Sequence, residues 1–160
     1  MKSNLRSLSD EQLLAQCRYE TFRGPGPGGQ KKNKTSSAVR LTHIPSGIAV
    51  IAGESRSQQR NRQTAMNRLR HKIALSIREP IEEGESINSS SLEISRRSAD
   101  YSAAIGRVLD VLNHAGWSVS DAANLLGVTT GRLVDFLQDD PKLWTEVNQQ
   151  RQKLGLRKLN

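Results

Sequence analysis

Three residues in this chain of 160, Gly28-Gly29-Gln30, have types and an order that could do chemistry. Two successive glycines open backbone angles that no residue with a side chain holds cheaply. A main-chain N–H in such a turn can be aimed at a developing negative charge, which makes an oxyanion hole. Losing one such donor typically costs about 2.7–4 kcal/mol of transition-state stabilisation. The Gln30 amide could position a nucleophile or screen one out, and the glycines allow close approach inside a narrow cavity. Taken alone, the tripeptide fits a flexible glycine-rich linker better, because three-residue patterns are weak signals.

Other catalytic sets have less support. His43, His71 and His114 stand at no metal-ligand spacing, and the single cysteine, Cys17, offers them no thiolate pair. Packing or a place beside a phosphate is the favoured reading of each histidine. Nothing like a nucleophile elbow accompanies them. The glycine-rich run Gly24-Pro25-Gly26-Pro27-Gly28-Gly29-Gln30 is neither a dinucleotide fingerprint nor a P-loop, since no Gly-Lys-Ser/Thr closes it.

The elements around this run must position it. Ser9 reads as an N-cap with Gln12 closing a capping box, opening a short helix to about Gln16. Alternation over 17–22 suits a strand. Prolines and glycines forbid regular structure over 24–30, and a helical turn could follow at 34–38. Val39–Ile44 and Ile48–Ala52, joined by Pro45-Ser46-Gly47, read as an antiparallel hairpin. From Ser57 the apolar residues Ala65, Leu69, Ile73 and Ile77 recur at helical spacing among arginines, which predicts a long basic helix across a small sheet. Residues 79–100 are acidic and then serine-rich, and are expected to form a linker with little buried. Residues 101–160 regain helical patterning. Ser118 or Ser120, Thr129 or Thr130, and Asp140-Pro141 are helix starts, and Gly116, Gly127 and Gly155 are stops. Four of the six aromatic residues (Tyr101, Trp117, Phe136 and Trp144) fall here, so this part should have its own small core.

Charge divides the chain the same way. Residues 1–78 hold 15 Lys/Arg against 4 Asp/Glu, a net +11, and residues 79–160 hold 9 against 12, a net −3. A polyanion, most often nucleic acid, is the partner such a basic half fits. No apolar run approaches the roughly 18 residues of a membrane span. The N-terminus lacks the apolar core of a secretory signal. With a lone cysteine, the expected location is a reducing cytoplasm.

From Arg18 to Ile77 the sequence resembles the catalytic domain of class I peptide chain release factors. The resemblance runs through Phe22-Arg23, Gly24 to Gln30, Asn33-Lys34-Thr35, Ser37 to Ile48, Glu54 to Gln58, Asn61, Ala65 and Leu69. It implies an α+β fold: a short mixed or antiparallel sheet with a projecting Gly-Gly-Gln loop and the long basic helix, over residues 1–78. The linker 79–100 and a small all-α, helix-turn-helix-like unit at 101–160 would follow. It also implies hydrolysis of the ester joining a nascent peptide to tRNA, in the peptidyl transferase centre of the large ribosomal subunit. Carried onto this chain, Gly28 and Gly29 shape the loop. The Gln30 N–H stabilises the tetrahedral oxyanion, and its side chain admits water and excludes other nucleophiles. Gln30 becomes the candidate for N5-methylation by a glutamine methyltransferase. Arg23, Lys31, Lys32, Lys34, Arg40, Arg56, Arg60, Arg62 and Arg68 become the candidates for binding rRNA or tRNA phosphates. No metal or organic cofactor is implied, and protein without ribosomes should be nearly inert.

Within that family the sequence is most similar to the small codon-independent proteins of ribosome rescue. Stop-codon-reading factors carry a decoding domain ahead of the catalytic one, and about 17 residues precede the match here. Rescue proteins usually end in a strongly basic tail, whereas the last dozen residues here hold only Arg151, Lys153, Arg157 and Lys158. The alternative is a non-catalytic RNA- or ribosome-binding protein that retains the fold. Residues 120–133 resemble a helix-turn-helix, but 118–138 carry Asp121, Arg132 and Asp135, a net −1. A DNA-reading helix normally brings phosphate-binding charge. A packing or ribosome-docking module is therefore favoured over specific DNA binding or a transcription regulator.

Overall fold

The computed structural model describes residues 4–23 and 37–160. They fall into two compact units that divide between Ile73 and Ala74.

The first unit opens on a one-turn 3-10 helix at Leu5–Ser7 and helix α1, Asp10–Ala15. The expected capping box is present: the Ser9 hydroxyl accepts from the Gln12 N–H and the Gln12 side chain accepts from the Ser9 N–H. Strands β1 (Cys17–Phe22), β2 (Ala38–His43) and β3 (Ala49–Ala52) form an antiparallel sheet in that order. Cys17 pairs with His43, Phe22 with Ala38, and Val39 with Ala52. Strict alternation then puts Val39, Leu41, His43, Val50 and Ala52 on the buried face. Arg18, Glu20, Phe22, Arg40, Thr42 and Ile51 share the other face. The helical turn anticipated at 34–38 lies mostly outside the described residues, and its last member, Ala38, is the first residue of β2.

Helix α2 spans Gln58–Ser76. Its inward stripe is Asn61, Ala65, Leu69 and Ile73, four residues apart, with Met66 beside them. These side chains, Leu13 and the apolar sheet positions are the core of this unit. Each fully buried valine, leucine or isoleucine side chain contributes about 1.5–3 kcal/mol relative to exposure.

The second unit begins with the last turn of α2 and is otherwise helical: α3 (Tyr101–His114), α4 (Val119–Leu126), α5 (Thr130–Gln138) and α6 (Pro141–Lys153). Ser118, Thr129 and Asp140 cap α4, α5 and α6 through their side chains. Gly127 ends α4 at φ 71°, a left-handed conformation natural to glycine. Trp117 adopts φ 65°, costly for a bulky residue, with its side chain buried.

One expectation changes. Residues 79–100 are not bare of buried side chains. A one-turn 3-10 helix at Ser89–Glu93 buries Leu92 in the helical core, and Ile81, Ile87 and Ile94 pack partly against it. Arg107 ties the segment down by pairing with Glu85 at 2.8 Å and donating to the Ser86 carbonyl at 3.1 Å. The acidic and serine-rich composition hid four spaced apolar residues that are enough to hold the segment. Among the described residues no helix is long and apolar enough to cross a membrane.

Candidate functional site

The chain leaves β1 at exposed Arg23 and returns at Ser37, next to β2. Gly28, Gly29, Gln30, Lys31, Lys32 and Lys34 fall between these points, outside the described residues. What the structure shows is how the point of return is held. Ser37 and Ala38 are buried. Gly53 lies against Ala38 so closely that a Cβ on Gly53 would stand 3.1 Å from the Ala38 Cβ. Asn61, itself buried, donates from its amide nitrogen to the Ser37 carbonyl at 2.7 Å and to the Ser55 carbonyl at 2.8 Å. Its Oδ1 accepts from the Ser55 N–H at 3.0 Å. Sequence reasoning gave Asn61 no role. The available signal was an asparagine heading an otherwise apolar four-residue stripe.

The cations sort into three groups. Arg56, Arg60 and Arg62, at and just before the start of α2, are exposed and form no ion pair among the described residues. Arg40 lies 5.2 Å over the Phe22 ring and 3.8 Å from Glu20, its cross-strand partner. Arg18 approaches the same carboxylate at 3.7 Å. Arg68, predicted as a phosphate ligand, is engaged within its own unit. It donates to the Ile51 carbonyl at 2.7 Å and to the Glu54 carboxylate at 2.6 Å. That hydrogen bond is the main reason the Glu54 carboxyl sits below the ordinary carboxylate range. Arg70, not among the predicted residues, is likewise turned inward, onto Asp10 at 2.7 Å and the Leu8 carbonyl at 2.8 Å.

His43 is a packing residue. It is buried, with Nε2 3.0 Å from Gln16 Oε1 and Nδ1 2.6 Å from Ser46 Oγ. Desolvation holds its pKa below the ordinary imidazole value. Burial likewise pushes the Cys17 thiol up, and its Sγ donates to the Leu13 carbonyl at 3.2 Å. Neither is a free base or nucleophile. Among the described residues no three His, Cys, Asp or Glu side chains cluster as metal ligands would.

In the second unit, α4 and α5 expose Ser120, Asp121, Asn124, Thr130, Arg132 and Asp135. One cation among two carboxylates is a poor match for a phosphate backbone. Tyr101 donates to the Asp140 carboxylate at 3.1 Å inside this unit, and burial raises the phenol pKa.

A family model described as the RF-1 domain matches residues 12–105, more than half of the chain. Peptide chain release factor 2 of Lactiplantibacillus plantarum is 55% identical over 56 residues, 35% of this chain and 15% of that protein. Its counterpart in Bordetella avium is 44% identical over 81 residues, 50% of this chain and 22% of that protein. That of Paramagnetospirillum magneticum is 52% identical over 59 residues, 37% and 16% respectively. The matched segments thus span less than a quarter of the length of these relatives.

Proposed function

The chain belongs to the RF-1 domain family, and from that membership we propose that it releases nascent peptides by hydrolysing peptidyl-tRNA on the ribosome. The observation that carries this reading is the family match itself, which runs through Gly28-Gly29-Gln30. Water attacks the ester carbonyl carbon, the tetrahedral oxyanion forms, and the tRNA hydroxyl leaves with a proton, giving a free peptide carboxylate. The Gln30 N–H, set by the two glycines, stabilises the oxyanion, and the Gln30 side chain selects water over other nucleophiles. Gln30 is also the residue a glutamine methyltransferase would modify.

Arg23, Lys31, Lys32, Lys34, Arg40, Arg56, Arg60 and Arg62 neutralise rRNA or tRNA phosphates. The exposure of Arg56, Arg60 and Arg62 supports this role; Arg40 stays in the set because it meets Glu20 only at 3.8 Å, and Arg68 is left out because its guanidinium is hydrogen-bonded to the Ile51 carbonyl and to Glu54. We further propose that this release does not require a stop codon, which would give the chain a part in ribosome rescue.

The test is peptide release from ribosomes whose mRNA ends at the P site, continues with a sense codon, or presents a stop codon. Release that is independent of the codon supports the proposal. Release only at a stop codon overturns its codon-independent part. Binding without release on every complex favours a non-catalytic ribosome-binding protein.

A further inference from the structure

We infer that Asn61 is a positioning residue for the release reaction, fixing the point at which the chain re-enters the fold after Gly28-Gly29-Gln30; the inference rests on the peptide-release reading above. The three hydrogen bonds of its amide join three separate stretches of chain: Ser37 at the entry to β2, Ser55 in the β3–α2 connection, and α2 itself. Ser37 lies seven residues beyond Gln30. Ser37 is the first described residue beyond that segment, and Asn61 holds its carbonyl.

The chemistry of the position is specific. An apolar residue at 61 would suit the stripe of Ala65, Leu69 and Ile73, but would leave the Ser37 and Ser55 carbonyls and the Ser55 N–H without these partners. A buried amide costs free energy unless it is hydrogen-bonded. Here both donors of Nδ2 and the acceptor Oδ1 meet main-chain partners, so the amide reads backbone positions rather than filling space. Aspartate has the same size but no donor, and would set a carboxylate against two carbonyl oxygens. Gly53 contributes by letting Ala38 approach. Arg60 and Arg62, the neighbours of Asn61 in sequence, point outward and leave the amide to this single task.

The experiment is single-turnover peptide release by the full chain on ribosomes carrying peptidyl-tRNA. The maximal rate and the half-saturating protein concentration are read separately, below the melting temperature of every variant. The variants are Asn61→Asp and, as a control for core destabilisation away from Ser37, Leu69→Val. Asn61→Asp is expected to lower the maximal rate by about 10–100-fold, the scale of a ~1 Å misplacement remote from the chemistry. Its half-saturating concentration should stay near that of wild type, and Leu69→Val should preserve both constants. Should Asn61→Asp fail to fold, Asn61→Ser, which keeps one donor, is read the same way. A maximal rate equal to that of Leu69→Val, or parallel losses of rate and affinity, overturns the inference. Absence of release by wild type overturns the functional reading itself, and the inference with it.

Discussion

Arg68 and Glu54 form a 2.6 Å charge-assisted hydrogen bond from the middle of α2 to the residue just past β3, while a second Arg68 nitrogen holds the Ile51 carbonyl. A guanidinium so engaged is a clip between helix and sheet. Arg68→Ala should therefore leave ribosome affinity and its salt dependence nearly unchanged. It should lower stability by about 1 kcal/mol or less, since both partners remain substantially exposed. Glu54 is held below its ordinary pKa, so this small contribution is present above about pH 4.5 and is lost as pH falls through the folded value. Arg60→Ala and Arg62→Ala should do the reverse. Each should weaken binding and reduce the slope of log affinity against log salt by about one. Equal salt slopes for Arg68→Ala and Arg62→Ala would contradict this division.

Leu92 offers a test of the segment 79–100. As part of a freely solvated linker, its truncation would cost nothing. Buried in the helical core, Leu92→Ala should lower the stability of the second unit by roughly 2–4 kcal/mol. Thermal or denaturant unfolding reads this directly. A loss under about 0.5 kcal/mol would remove the segment from the core.

Much of this architecture is legible in local sequence because local chemistry decides it. Ser9 with Gln12, Ser118, Thr129, Asp140-Pro141 and Gly127 each act within one turn of chain, and each stands where the spacing places it. The hairpin follows from strict alternation about Pro45-Ser46-Gly47. What escapes is set by distant partners. Arg68 and Arg62 look alike in sequence, and only Glu54 and Ile51 separate them. Asn61 looks like one more polar residue in a basic helix until Ser37 and Ser55 are brought to it. Leu92 is lost in the averaged composition of its neighbours.

His43 predicts a pH dependence. With the Gln16 carbonyl as acceptor, Nε2 carries the proton and Nδ1 accepts from the Ser46 hydroxyl. Burial lowers the folded pKa below the ordinary 6.5. The unfolded chain then binds the proton more readily. The stability associated with neutral His43 is complete above about pH 6.5 and declines as pH falls below it, until the folded value is passed. Unfolding free energies of wild type and His43→Phe between pH 7 and 5 should converge as pH falls, because only wild type loses this contribution. A constant difference across that range would show that His43 does not titrate differently on folding.

Peptide release is assigned to the Gly28-Gly29-Gln30 segment. The most direct measurement is release from ribosomes carrying peptidyl-tRNA on mRNA cut at the P site, comparing wild type with Gly29→Ala and measuring ribosome binding by each. Expected are release by wild type, a loss of about 100-fold or more in Gly29→Ala through the displaced oxyanion donor, and nearly equal ribosome affinity. Undiminished release by Gly29→Ala, or loss of binding in step with loss of release, would contradict it.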